Sequence, residues 1–484
     1  MDQPPPQLRP PLGAPREDGG LKAGSVHRSL EAGDSNVSNR SRGPLRGALQ
    51  NLRRRDARQS TGARLQLTIV TTLVILVSTT GSGIILARAL GPTMRGILTA
   101  AMLLGPLIAN IGSLGIADAL VYQSGRAKGR TSPVLASALV IGAAQTLVLI
   151  VVGWVAVPAL LGSSTPSAVS PALVYLSVIP MTFLFSYSQA VLQGRLRLTE
   201  FNLVRLTSPV VYTAILVVLW RLGQLSISSA LAASLASIAV YSVLAMAGAV
   251  GLSSSRPTFA VGRQLLAYGL RSHTGNLATI LALQLDLLML AAVVAPYEVG
   301  YYAVATSAAM AGGLIPGAVS MVLFPTFANQ SPDALPLALA RFLSWGLGGA
   351  FLLAPILTLL VPWAVEPVYG SAFRAAAPIA LVLVPGYLIR GANQMLVAIL
   401  RGSGRPMRAS VGQIVGLGVL ATLLPMGIVY RGPQGAAVAV TVSAAVAFIW
   451  LLATALKGSQ VSARSAFLVW RSDLLHLRRA DRQG

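Results

Sequence analysis

From Leu65 onward the chain repeats one pattern: a long apolar run, a short polar gap, then another run. Twelve such runs can be drawn, at 65–87, 97–121, 133–157, 171–193, 203–220, 227–252, 268–294, 299–327, 337–361, 373–399, 409–429 and 434–456. Each is near or above the roughly 20 residues a helix needs to cross the hydrocarbon. Water is absent there, so a spanning segment must satisfy its own backbone, as a helix does. Charged residues make up only 11% of the chain, and apolar ones 54%; soluble domains carry roughly 25% charge. The expected fold class is therefore all-α integral membrane, with about twelve transmembrane helices.

The net charge of +23 could suggest nucleic acid as a partner. Its distribution argues for topology instead. Residues 1–64 hold 12 of the basic residues, and 457–484 hold six. With both ends cytoplasmic, the inside-facing gaps hold 13 Lys/Arg and the outside-facing gaps five, Arg88, Arg95, Arg221, Arg374 and Arg431. That asymmetry follows the positive-inside rule. Residues 1–64, beginning MDQPPPQLRPPLGAP, lack apolar periodicity and are expected to be a disordered basic cytoplasmic tail. In the 457–484 tail, Phe467, Trp470, Leu474 and Leu477 fall at helical spacing beside Arg464, Arg471, Arg478 and Arg479. This suits a helix lying on the inner leaflet, or simply a frayed basic tail.

Two short motifs recur. GPTMRG (Gly91–Gly96) is echoed by APYEVG (Ala295–Gly300) at a shift of 204, and LQGRLR (Leu192–Arg197) by LRGSGR (Leu400–Arg405) at a shift of 208. Nearly equal shifts point to an internal repeat. The expected organisation is an amino-terminal six-helix lobe over 65–256 and a carboxy-terminal one over 257–456. Six is even, so the repeats run parallel, as in transporters whose lobes rock around a central cleft. The spacings Gly313/Gly317 and Gly412/Gly416 permit close helix packing.

A few polar residues interrupt the apolar runs. Asp286 lies deep in the seventh; a carboxylate there costs roughly 2.5–3.5 kcal/mol on insertion scales, so it should face the cleft or a partner. It is the candidate for binding H⁺ or Na⁺, with a static interhelical hydrogen bond as the alternative. Arg390, followed by Asn393 and Gln394, is too deep in the tenth run to reach the interface easily. It can bind an anionic group or pair with a carboxylate such as Asp286. Arg271 and Asn276 sit near the cytoplasmic start of the seventh run, where Arg271 can reach a phosphate or a lipid headgroup. Arg88 enters the outer cleft if the first helix runs on past 87. Glu200, among Arg195, Arg197 and Arg205, reads as a loop salt bridge.

Much chemistry is excluded. There is no cysteine, the three histidines are scattered, and no lysine precedes Ser or Thr as a P-loop requires. No metal site, cofactor or catalytic residue is expected, and nucleic acid is not an expected partner. An integral-membrane polysaccharide polymerase would need a long outer loop, whereas the longest outer gap is 158–170.

The ordered series ARALGPTMRGILTAA, GIADALVY, LQGRLRLTEFNLVRL, QLDLLMLAAVVAPYEVGYYAVATSAA, LRGSGRPMRASVGQIVG and GPQGAAVAVTVSAAVAF resembles the oligosaccharide flippases (polysaccharide transporters) of the multidrug/oligosaccharidyl-lipid/polysaccharide exporter superfamily. The resemblance implies two six-helix lobes around a V-shaped cavity in a bacterial plasma membrane. It also implies transfer of a polyprenyl-diphosphate-linked oligosaccharide to the outer leaflet, with membrane lipids and other polysaccharide-assembly proteins as candidate partners. Arg390, Arg271, Arg88, Asn393 and Asn276 would then serve the diphosphate in the cleft, and Asp286 would couple transport to an ion. The family's aspartate is commonly followed by a basic residue; here Leu287 follows. Rival cargoes within the superfamily are lipid II and organic cations.

Overall fold

The computed structural model describes residues 61–126, 133–250, 256–310 and 348–459. The basic tail before residue 61, the Gly313/Gly317 spacing and the segment after residue 459 lie outside them. The described residues are helical throughout, with no strand. In order they are α1 (Thr61–Gly112), α2 (Ile116–Arg126), α3 (Val134–Leu161), α4 (Pro166–Tyr175), α5 (Val178–Gly194), α6 (Leu198–Arg221), α7 (Ile227–Val250), α8 (Phe259–Val293), α9 (Pro296–Met310), α10 (Gly348–Tyr369), α11 (Ala376–Gly402) and α12 (Pro406–Ser459).

The first and last helices are each too long for one crossing of a hydrocarbon layer about 30 Å thick at 1.5 Å per residue. Each is broken near its middle. In α1 the break is Gly91, at φ 69°, followed by Pro92, which cannot donate a backbone bond. In α12 it is Arg431 and Gly432, ahead of Pro433. Beyond that break the arms touch backbone to backbone: a Cβ on Gly435 would lie 1.8 Å from the Gly427 carbonyl oxygen. Gly412 and Gly416 likewise face Leu451 and Ala447 of the opposite arm.

Three spans drawn as continuous are interrupted. The second, over 97–121, breaks at 113–115, where Leu114 and Gly115 take positive φ. The fourth divides into α4 and α5, bent by 45°. The seventh begins at Phe259, earlier than 268, and bends by 60° between Phe259–His273 and Leu277–Val293. Arg271 is therefore in the body of a helix rather than at its start.

Buried apolar side chains form two clusters. One joins α1 to α7 with the first segment of α8, through residues such as Leu98, Leu120, Ile179, Leu216 and Leu265. The other joins the second segment of α8 to α9, α10, α11 and α12, through Leu290, Tyr302, Phe373, Leu383 and Leu424. The bent α8 thus serves both. Its first segment is tied to the break after α1: the His273 ring bonds the Ile111 carbonyl at 2.9 Å, and Gly269 meets the backbone of Leu114 and Gly115. Tyr268 stacks on Tyr122 at 4.7 Å. Polar groups within the bundle find partners across helices. Tyr187 donates to Gln145 at 2.6 Å, Thr213 to the Ser78 carbonyl at 2.9 Å and Thr441 to the Val382 carbonyl at 2.8 Å.

The internal repeat is visible atom for atom at the second landmark. The Arg197 amide bonds the Leu192 carbonyl at 2.9 Å, and the Arg405 amide bonds the Leu400 carbonyl at 2.8 Å. Each turn places its fifth residue at positive φ, Leu196 at 57° and Gly404 at 76°. Glu200 pairs with Arg197 at 3.6 Å just beyond the first turn.

A left-handed conformation disfavours a side chain by roughly 1–2 kcal/mol. Gly404→Leu should therefore lower stability by about that amount, and Leu196→Gly, at an exposed side chain, should raise it by up to about 1 kcal/mol. Thermal unfolding of the purified protein in detergent measures both.

Candidate functional site

Between the two sets of helices lies a cavity of about 310 Å³. The first arm of α1 contributes Thr79, Ser82, Gly83 and Leu86; the second contributes Arg95, Thr99, Met102 and Leu103. Tyr212 of α6 closes one side, and Gln284, Leu287 and Ser307 come from α8 and α9. Among the described lining residues Arg95 carries the only formal charge.

The break at Gly91 puts Arg95 there. Pro92 opens the second arm, so Arg95 falls in its first turn. A cation near a helix amino terminus opposes the backbone dipole, so helix stability does not account for the residue. The Arg95 Nε and the Tyr212 hydroxyl are both buried without a hydrogen-bond partner. A buried cation with an open donor is costly unless something anionic or polar meets it. The neighbouring hydroxyls complement it. Ser82 donates to the Thr79 carbonyl at 2.8 Å, Thr99 to the Arg95 carbonyl at 2.7 Å and Ser307 to the Ala303 carbonyl at 2.8 Å. With their protons used, these oxygens offer lone pairs. The cavity can therefore donate to phosphate oxygens and accept from sugar hydroxyls.

Among the described side chains, those singled out from the sequence are not in the lining of this cavity. Asp286 is buried, at 3% exposure, and is not among the residues that line the cavity with Gln284 and Leu287. Its Oδ2 accepts from the Tyr302 hydroxyl at 2.7 Å, and its Oδ1 from the Leu287 amide at 2.9 Å. Arg390 reaches the same helix one turn earlier: its Nη2 donates to the Ala282 carbonyl at 2.7 Å, and its guanidinium lies 5.4 Å from the centre of the Tyr387 ring. The described ion pairs do not include Arg390 with Asp286. The Arg390 Nη1 is buried without a hydrogen-bond partner. Asn393 donates to the Ala444 carbonyl at 3.0 Å, tying α11 to α12. Arg88 is exposed; it donates to the Val368 carbonyl at 2.8 Å and to that of Pro367, capping the end of α10. Arg271 is exposed, and the Asn276 side chain lies outside the described residues. The structure thus brings Asp286 and Arg390 to one stretch of α8, and does not place Arg88, Asn393 or Arg271 with them.

Arg95 is the residue that sequence reasoning missed. Counting it among the outer gaps treated GPTMRG as a loop. Proline is favoured at the first helical position, so Pro92 was the available sign that Arg95 is already helical. Among the described residues no group of three or more His, Cys, Asp or Glu could hold a metal ion.

A family model described as "Polysaccharide biosynthesis protein" matches residues 85–378. No curated protein sequence matches the chain. Among solved structures, the lipid II flippase MurJ in an inward closed conformation is similar at a TM-score of 0.63 and 13% identity, covering 84% of this chain and 91% of that one. The MATE multidrug transporter DinF-BH is similar at 0.55 and 15% identity, covering 84% and 96%. An outward-facing MATE transporter of the MOP superfamily is similar at 0.52 and 17% identity, covering 87% and 98%. These likenesses establish the fold: two six-helix lobes related by a parallel repeat.

The Tyr302 hydroxyl is the side-chain donor to a buried carboxylate, and stranding such an acceptor costs roughly 1–3 kcal/mol. Tyr302→Phe should lower thermal stability in detergent by about that much. Asp286→Asn in the Tyr302→Phe background should recover part of the loss.

Proposed function

The chain belongs to the polysaccharide biosynthesis protein family, and on that premise we propose that it is a flippase for a polyprenyl-diphosphate-linked oligosaccharide. The observation that carries this reading is the cavity between the lobes, lined by one arginine and hydroxyls and, among the described residues, by no carboxylate. An anionic diphosphate suits Arg95, and sugar hydroxyls suit Tyr212, Gln284, Ser82 and Ser307. The polyprenyl tail stays in lipid and slides through a gap between the lobes. Lobes that rock about the cavity carry the headgroup from the inner to the outer leaflet. No bond is made or broken, so no catalytic residue is needed.

An organic cation would favour carboxylates around it, which argues against a drug exporter. Lipid II shares the diphosphate that Arg95 would hold, so that cargo differs at the sugar and not at the arginine. The setting is the bacterial plasma membrane, with both termini on the cytoplasmic side. Asp286, with Tyr302 and the nearby Arg390, is the site we assign to H⁺ or Na⁺ coupling. It is set apart from the cavity, as a site that acts on the lobe rather than on the cargo would be.

A charge-assisted hydrogen bond lost from the cargo costs roughly 1.5–3 kcal/mol, equivalent to about 10- to 100-fold in binding. Arg95→Ala should therefore cut surface polysaccharide by about tenfold or more and accumulate lipid-linked precursor inside the cell. Arg95→Lys should be less severe. Normal export by Arg95→Ala at normal protein level would reject the reading.

A further inference from the structure

We infer that Gly96 and Gly300 are positioning residues of the transport cycle: their reciprocal contact is the outer closure over the Arg95 cavity. This rests on the alternating-access reading above. A Cβ on Gly96 would lie 1.7 Å from the Pro296 carbonyl oxygen, and a Cβ on Gly300 would lie 2.1 Å from the Pro92 carbonyl oxygen. Both obstacles are backbone atoms, which cannot swing aside as a long side chain can.

The two contacts are one contact seen twice. Shifting Gly96 and Pro92 by 204 gives Gly300 and Pro296, so the pairs exchange under the internal repeat. Reciprocity of this kind is what a two-fold axis between matching surfaces produces. The two turns therefore meet on the pseudo-axis of the lobes, where a symmetric opening must begin. The cavity adjoins them. Arg95 adjoins Gly96, Thr99 follows one turn on, and Ser307 stands two turns beyond Gly300. Parting the turns would strip the walls supplied by α8 and α9 from Arg95 and uncover whatever it holds.

The contact suits a closure that must reopen. It needs no interlocked side chains at the two glycines, and a single methyl group on either forbids it. At Gly418 an added methyl is harmless: nothing lies within 4 Å of it.

The chain has no cysteine, so Ser307→Cys gives the cavity wall one thiol. In oriented vesicles that thiol should react slowly with a membrane-impermeant maleimide applied at the outer side. Gly96→Ala and Gly300→Ala should each speed that reaction, on the order of tenfold, by disfavouring the closed state. Gly418→Ala should leave it unchanged. Unchanged labelling in both alanine variants, at native membrane levels, overturns the inference. Labelling of the native-glycine protein from each side in turn keeps alternating access whatever the alanines do; labelling from one side only, in every variant, overturns both. Should neither alanine variant accumulate, spin labels at the exposed positions Met94 and Tyr297 on native glycines decide the matter. Two distance populations are expected. One fixed distance in lipid vesicles, with and without inorganic pyrophosphate, overturns the inference.

Discussion

Hydrocarbon offers no hydrogen bonds, and that constraint decides where this chain keeps its few intramembrane charges. Each must have a partner, a carbonyl or a wet cavity. Asp286 is met by the Tyr302 hydroxyl, and Arg390 by the Ala282 carbonyl and the Tyr387 ring. Arg390 Nη1 and Arg95 Nε are both buried without a hydrogen-bond partner, but Arg95 lines a cavity that Tyr212 and several hydroxyls also line. The arrangement leaves a cationic donor uncommitted in the cavity between the lobes, and the proposed transport of an anionic headgroup follows from that donor.

Beside the apolar packing of α8 against α1 to α7, the lobes meet through small residues and backbone. Gly96 against Pro296, Gly300 against Pro92, and Gly269 against Leu114 and Gly115 are all contacts that a side chain would block. Arg88 adds a polar tie by capping α10. Apolar side chains gain nothing from meeting each other instead of lipid, so close backbone approach is the available way to join helices tightly in a bilayer. It also leaves joints that separate without dragging large side chains out of pockets.

The helical membrane architecture and the parallel repeat were legible because both depend on coarse patterns. Apolar run length sets the spans, and glycine and proline mark the turns at 91–96 and 295–300. The break at 113–115 was not legible, because a leucine at positive φ leaves no trace in composition; nor was the bend at 175–178, where Leu176 and Ser177 keep φ near −58°. The candidate site was legible in kind but not in position. Asp286, singled out from the sequence, is buried, and Arg390 is half-buried. Helical phase, which the run alone does not orient, turned Asp286 toward Tyr302 and left Gln284 and Leu287 to face the cavity. Arg95 was hidden because its motif reads equally as a loop and as the first turn of a helix.

The central claim, that the Arg95 cavity carries a diphosphate-linked sugar across the bilayer, is tested most directly with purified protein in vesicles. A fluorescent polyprenyl-diphosphate oligosaccharide would be placed in one leaflet and its arrival in the other read by quenching from outside. Movement should be much faster than in protein-free vesicles and should be slowed by the matching polyprenyl diphosphate but not by an organic cation. Movement no faster than in protein-free vesicles, under an imposed proton gradient and under an imposed sodium gradient alike, would contradict it.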